Sequence, residues 1–308
     1  MSTYVFGHQS PDADSICSAI AYANLKQKLG DTDVIPARLG KINKEVEFAL
    51  ETFGVEFPIE VTDVTGEQII LVDHNEHSQS ANGINKADVL EIIDHHKVAI
   101  PDTGKPILVR IEPVGCTSTI VAKMYKENDL TPSKSMAGLM LSAILSDTLI
   151  FKSPTCTPQD EKVARELATI AEVDLETYGK DLLAAGTSLE GMTAKDLLDV
   201  DRKAFKMGKY NVAVAQINTS DAERLETMKP EIREEINNII DKDGLSLVIL
   251  MMTDLVKGGS EILAIGQDKH LADQTFGIEA NKESVFLEDV YSRKKQIIPQ
   301  LTATAQNS

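Results

Sequence analysis

Residues 68–96 read QIILVDHNEHSQSANGINKADVLEIIDHH. Two short apolar runs, Gln68–Val72 and Val89–Ile93, each stop at an acid followed by histidine, Asp73-His74 and Asp94-His95-His96. Apolar runs of this length without polar alternation are the pattern of strands buried on both faces, as in a parallel sheet. The same junction recurs nearer the start of the chain. Tyr4–Phe6 is a strand candidate that runs into Gly7-His8-Gln9-Ser10-Pro11-Asp12-Ala13-Asp14. Asp14 is placed to cap a helix reaching about Leu29, and Gly30 stops it. Further along, strands are expected at Asp33–Leu39 and Leu108–Ile111, and helices at Asn43–Phe53, Thr117–Glu127 and Ser133–Leu149. Thr157-Pro158 opens one more helix, to about Ala171. This alternation predicts an α/β fold, a doubly wound and mainly parallel sheet with helices on both faces.

The chain has 308 residues, enough for two domains. Gly, Ser and Thr concentrate in Ala185–Thr193, which reads as a linker. The expected division is a first domain over 1–186, a linker over 187–193 and a smaller C-terminal α/β domain with a mixed sheet over 194–308. Within the latter, strands are expected at Asn211–Ile217, Leu247–Met252 and Ile262–Ile265. Helices are expected at Asp221–Ile240 and from Lys269, and Gln296–Leu301 is a final strand candidate. A net charge of −17 argues against nucleic acid or an anionic membrane as partner. Aromatics at 5%, with no Trp, argue against a platform for stacked bases. The longest strongly apolar run, Leu247–Met252, is far short of the ~20 residues of a membrane-spanning helix. With no signal peptide visible and three widely spaced cysteines, Cys17, Cys116 and Cys156, a reducing cytoplasm is the expected compartment.

In an open parallel sheet the ligand crevice lies outside the carboxyl ends of the strands. Three acid-histidine clusters at three such ends therefore converge, although each alone has a plain reading as a helix cap or a strand-end turn. Carboxylates and imidazoles without thiolate suit Mn²⁺, Fe²⁺, Co²⁺ or Zn²⁺ in mixed N/O coordination. Several carboxylates gathered without cations repel one another, and two divalent ions bridged by one carboxylate relieve that repulsion. Asp147 joins the set as a carboxylate inside the apolar helical stretch ILSDT (144–148), where burial demands a partner. His77 and His270 lie outside it. The densest cationic cluster is Ser292-Arg293-Lys294-Lys295-Gln296, and Asp201-Arg202-Lys203 adds another. Arg offers a planar fork to phosphate oxygens and Lys a point charge. Neither GxGxxG nor GxxxxGK[ST] is present, so no dinucleotide fold or P-loop is indicated.

The set GHQSPDADS (7–15), LVDHNE (71–76), IIDHHK (92–97), ILSDT (144–148), VDRKAF (200–205) and YSRKKQ (291–296) resembles the family II inorganic pyrophosphatases. These are metal-activated members of the DHH phosphoesterase superfamily, and the likeness runs the length of the chain. The resemblance implies hydrolysis of pyrophosphate to two orthophosphates by a water or hydroxide activated by two metal ions, with the substrate held between the domains. It implies two Mn²⁺ (or Co²⁺) per subunit and an added Mg²⁺ with the substrate. His8 and Asp12 would hold one ion, Asp14, His95 and Asp147 the other, and Asp73 would bridge both. His96 would be general acid, with Asp94 behind it orienting an imidazole. Lys203, Arg293 and Lys294 would hold phosphate oxygens. A homodimer through the N-terminal domain is also implied. Two rivals stay open: a phosphoesterase of short oligonucleotides, cyclic dinucleotides or polyphosphate, and a non-catalytic metal- or nucleotide-responsive binder.

Overall fold

The computed structural model describes residues 2–99, 103–187, 189, 191–219, 222–254 and 257–306. Ser188 and Glu190 of the expected linker, and Asp221, lie outside the described residues. The chain divides into two compact units, Met1–Gly186 and Thr187–Ser308.

The first unit is built on β1 (Thr3–Phe6), β2 (Val34–Arg38), β3 (Ile59–Glu60), β4 (Gln68–Val72), β5 (Asp88–Asp94) and β6 (Leu108–Ile111). The sheet order is β3-β2-β1-β4-β5-β6, and every pairing is parallel. Its helices are α1 (Ala13–Lys28), α2 (Lys44–Thr52), α3 (Thr117–Glu127), α4 (Lys134–Asp147), α5 (Pro158–Ala171) and α6 (Leu175–Gly186). The strands alternate between two cores, as a pleated strand must. Val5, Ile70, Val72 and Ile93 pack with residues of all six helices. Phe6, Ile69, Leu71 and Ile92 face the other way, against Val64, Ala81 and Ile84. That second face carries no α-helix among the described residues. Its cover includes 3₁₀ turns at His77–Gln79 and Ile84–Lys86. The sequence pattern predicts helices on both faces; among the described residues α-helices cover one face and short 3₁₀ turns stand on the other. The β4–β5 connection of about 15 residues holds polar turns, too broken for a helix to persist.

The local reasons for the helices are visible in their caps. Asn43 accepts from the Val46 N–H at 2.9 Å, and Ser133 accepts from the Met136 N–H at 3.3 Å. Thr157 and Asp160 form a reciprocal capping box ahead of Pro158. Asp160 also accepts from the Gly115 N–H at 2.8 Å and the Thr119 hydroxyl at 2.6 Å, which ties α5 to α3.

The second unit has α7 (Ala194–Val200), β7 (Arg202–Met207), β8 (Tyr210–Thr219), α8 (Ala222–Asp243), β9 (Leu247–Asp254), β10 (Gly259–Ile265), α9 (His270–Phe276), β11 (Ser284–Glu288) and α10 (Ile298–Gln306). The order is β11-β10-β9-β8-β7, with β8 and β9 parallel and the other pairs antiparallel. Val212 and Val214 pack toward α9 and α10, while Ala213, Ala215 and Ile217 pack toward α7 and α8. The final strand expected over Gln296–Leu301 is not formed. Arg293–Ile297 is a single π-helical turn that leads into α10. A short apolar run around Pro299 suits a first helical turn, where a missing N–H has no intrahelical partner to lose.

Candidate metal centre

Sheet order places the candidate residues. From β1 the chain winds outward through β2 and β3, then returns to lay β4 on the opposite side of β1. The carboxyl ends of β1 and β4 therefore form the topological switch point, where the loops diverge and leave a crevice.

Gly7 follows the end of β1. A Cβ there would fall 1.7 Å from Ser15 Oγ, so glycine is what lets α1 return so close to β1. Asp12, with extended backbone (φ −105°, ψ −168°), is the N-cap of α1 and accepts from the Ser15 N–H at 3.0 Å. The cap expected at Asp14 is therefore two residues earlier, because a capping residue needs that extended conformation. Asp14 is instead inside the first turn, completely buried, and meets the N-terminus of α3. It accepts from the N–H groups of Thr117 (2.6 Å) and Ser118 (3.0 Å) and from the Ser18 hydroxyl (2.6 Å). A helix N-terminus favours a negative group.

Asp73 follows β4 with φ at 57°, a left-handed conformation that Asp tolerates better than most residues. Its two carboxylate oxygens divide. Oδ2 lies 3.4 Å from His8 Nε2, which is also 3.4 Å from Asp12 Oδ2. Oδ1 lies 3.4 Å from His95 Nε2 and 3.6 Å from His96 Nδ1. The His95 Nδ1–H faces the Val114 carbonyl at 3.1 Å, which leaves Nε2 directed at the acids. That Nε2 is 3.8 Å from Asp147 Oδ2 and 3.9 Å from Asp14 Oδ2. Asp147 arrives as the last residue of α4. The structure thus brings His8, Asp12, Asp14, Asp73, His95 and Asp147 together.

Asp94 stands behind them. Its Oδ1 accepts from the His95 N–H (2.7 Å), the His96 N–H (3.0 Å) and the His96 Nδ1–H (2.9 Å). His96 keeps 46% of its side chain exposed. His77 and His270 stand apart, the latter edge-on to Tyr210.

Electrostatics separate these carboxylates. Burial, reinforced by the charge of Asp73, pushes Asp14 up to about 6. Burial and then the charges of Asp14, Asp12 and Asp73 push Asp147 well above the usual range. Burial would raise Asp73 too, but the His8 and His95 imidazoles outweigh it and hold the group far below. Burial alone would lower both histidines, yet Asp12 and Asp73 bring His8 to about 11, and Asp73 brings His95 to about 9. Two carboxylates pushed upward mark negative charge that the protein itself leaves uncompensated, and divalent cations would supply the missing charge. The oxygen and imidazole donor set fits a Mn²⁺-type ion. Cys116 lies beside Asp14 and Asp147. Burial, then the charge of Asp14, raises its thiol well above the usual value, so it stays protonated there. Ser18, Thr117 and Ser118, which the sequence does not single out, bond the candidate ligand Asp14, and Asn75 bonds Asp94.

In the second unit the cationic cluster occupies the π turn. Gln216 of β8 anchors it, accepting from the Arg293 N–H at 3.2 Å and donating to the Tyr291 carbonyl at 3.0 Å. The buried Arg293 guanidinium donates from Nη1 to the Asp201 carbonyl (2.6 Å) and the Val214 carbonyl (3.3 Å), and from Nη2 to Asp201 Oδ1 (2.9 Å). Lys203, exposed on β7, pairs with Val214 in the strand register, so it stands at the same end of the sheet. Lys294 is exposed on the π turn.

Comparison with known proteins gives a consistent outcome. Residues 2–144 match the DHH family N-terminal domain, and residues 180–304 match the DHHA2 domain. A Bacillus mycoides protein named "Probable manganese-dependent inorganic pyrophosphatase" is 49% identical over 304 residues, covering 98% of each chain. A Bacillus cereus protein of the same name is 48% identical over the same length and coverage. The crystal structure of a Methanococcus jannaschii protein described as a family II inorganic pyrophosphatase matches with a TM-score of 0.76 at 38% identity, over 99% of each chain. No helix among the described residues is long and apolar enough to cross a membrane.

Proposed function

The chain belongs to the manganese-dependent inorganic pyrophosphatases, built from a DHH domain followed by a DHHA2 domain, and from that premise we propose that it hydrolyses pyrophosphate to two orthophosphates with two Mn²⁺ (or Co²⁺) ions per subunit. His8 and Asp12 would hold one ion, Asp14, His95 and Asp147 would hold the other, and Asp73 would serve both. The observation that carries this reading is Asp73 itself, a buried carboxylate whose oxygens face two different imidazoles at 3.4 Å each. When bound, such ions bring the pKa of water toward neutrality and offset charge on phosphoryl oxygens.

The chain's own groups do the rest. Asp94 accepts from the His96 Nδ1–H, which leaves Nε2 as the nitrogen to serve the leaving phosphate as general acid. Lys203, Arg293 and Lys294 hold phosphate oxygens, so that the substrate, with an added Mg²⁺, lies between the domains. That is positioning and electrostatics rather than covalent catalysis. The enzyme works in the cytoplasm, a reading supported by its free cysteines. The test is phosphate release from pyrophosphate by metal-stripped protein reloaded with Mn²⁺ or with Mg²⁺ alone, beside a dinucleotide and a short polyphosphate. Fast Mn²⁺-dependent release from pyrophosphate alone is expected. Turnover of either other substrate instead would keep the site chemistry and discard this substrate.

We also propose a homodimer through the N-terminal unit. Strand β6 is an edge of its sheet, and Leu108 and Val109 are 49% and 41% exposed there. An apolar edge of this kind invites a further strand, and a second copy supplies one. Leu108→Lys with Val109→Lys is expected to halve the mass measured by sedimentation. A double variant that sediments like the wild-type chain would rule this edge out as the interface.

A further inference from the structure

In the motif LVDHNE, Asn75 has a hydrogen-bond set that the roles assigned above do not explain. Asn75 is buried to 1% exposure. Its Nδ2 donates to Asp94 Oδ2 at 2.5 Å and to the Lys97 carbonyl at 3.0 Å. Its Oδ1 accepts from the Ala99 N–H. Both partners of the nitrogen are acceptors and the partner of the oxygen is a donor, so the orientation of the amide is forced. Asp94 is consequently gripped from two sides. One oxygen takes the His95 and His96 N–H groups and the His96 ring, and the other takes Asn75.

We propose that Asn75 is a positioning residue that aims His96: it stops the Asp94 carboxylate from rotating and fastens the turn at 97–99 that follows the histidine. Without the amide, Asp94 keeps partners on one oxygen only, and the His96 ring gains freedom to swing away from the substrate. The effect is on orientation, so it falls on turnover rather than on the cations or on substrate affinity. Partners of this kind behind a working imidazole are typically worth ~10–100-fold in activity. The assignment rests on the general-acid reading of His96, and the experiment separates the two.

The experiment is a double-mutant cycle on the Mn²⁺-loaded enzyme with pyrophosphate, using Asn75→Ala, His96→Gln and the pair. Asn75→Ala is expected to lower kcat by ~30-fold, with KM and Mn²⁺ affinity within ~3-fold of wild type. In the His96→Gln background the same change is expected to cost less than ~3-fold, because the ring it served is gone. Should Asn75→Ala fail to fold, Asn75→Ser, which keeps one short donor and acceptor, is read in the same cycle. Wild-type kcat, an equal loss in both backgrounds, or a loss that follows Mn²⁺ affinity would each overturn the assignment. If Asn75→Ala is fast while His96→Gln is slow, the role of Asn75 falls and the general acid stands. If His96→Gln turns over at the wild-type rate, the general acid falls and takes Asn75 with it.

Discussion

Asp73→Asn is expected to lower pyrophosphate turnover by ~10⁴-fold or more, about 5 kcal/mol on the barrier, and to remove tight Mn²⁺ binding at both positions while the fold persists. An amide has the volume of the carboxylate but one acceptor oxygen. Whichever way it turns, either His8 or His95 then faces an N–H group instead of an oxygen, and one unit of negative charge is gone. The backbone has no reason to move. The Asp73 N–H still donates to the Ile93 carbonyl at 3.0 Å, and Asn tolerates the left-handed conformation as Asp does.

The pH dependence of the metal-free protein supplies a second readout of the same variant. His95, raised to about 9 from an ordinary 6.5, contributes stability that is fully present below pH 6.5 and lost as pH rises through about 9. Asp14, raised to about 6 from 3.8, contributes stability present below pH 3.8 and lost by the time pH passes about 6. Asp73 has the opposite sign, because its lowered value gives stability present above pH 3.8 and lost only in strong acid. Between pH 6 and 9 the metal-free wild type should therefore lose stability as histidine protons leave, and Asp73→Asn should flatten that decline. Mn²⁺ affinity should rise over the same interval, since the ligands must shed those protons. Calorimetric titration with Mn²⁺ and thermal melts from pH 6 to 9 check both. Two Mn²⁺ bound with near wild-type affinity in the variant would sink the bridging assignment.

The parts of this site that can be read from sequence are those where chain direction does the work. A short apolar run that ends in Asp-His declares a strand and its carboxyl end together, so β1, β4 and β5 and their acids follow from residues 4–14 and 68–96. Asp147 is legible because a carboxylate inside an apolar helical stretch needs a reason. What sequence hides is contact at long range. Nothing near Asp14 announces that it meets the N-terminus of α3 about a hundred residues later, since a backbone N–H has no sequence signature. The same holds for the grip of Asn75 on Asp94. Strand β7 was flagged only for its charge, because RKAFKM (202–207) places polar side chains outward on an edge strand. The Gly208-Lys209 pair that joins Met207 to Tyr210, with Gly208 at φ 60°, was the available hairpin signal. The run QIIPQL (296–301) was open to two readings, since a short apolar run does not separate strand from helix by periodicity. Proline within it favoured the helix start that formed.

Arg293→Ala is expected to have two effects that arise from different N–H groups of one guanidinium. The first is structural. Three N–H groups serve the Asp201 carbonyl, Asp201 Oδ1 and the Val214 carbonyl, which tie the π turn to the start of β7 and to β8. Asp201 keeps 43% of its side chain exposed, so water can replace part of what is lost. The expected cost is about 2–3 kcal/mol rather than the larger penalty of stranding a fully buried charge. The second effect is on substrate. Arginine carries more N–H groups than these contacts use, and under the proposed role those at Nε and on Nη2 would meet a phosphate oxygen. Because Asp201 fixes the guanidinium plane, those donors are aimed before the substrate arrives, which is when a hydrogen bond stabilises a transition state most. Measured below the melting temperature of the variant, kcat/KM for pyrophosphate should fall by ~10²–10³-fold. Arg293→Lys should restore no more than ~10-fold, since a point charge cannot hold Asp201 and an anion in one plane. A variant that melts early yet turns over pyrophosphate like wild type would leave Arg293 as a tie within the second unit alone. A variant with unchanged melting would show that the Asp201 contact holds nothing. The expected combination, loss of both, is what the proposed phosphate role predicts for an arginine whose plane Asp201 fixes.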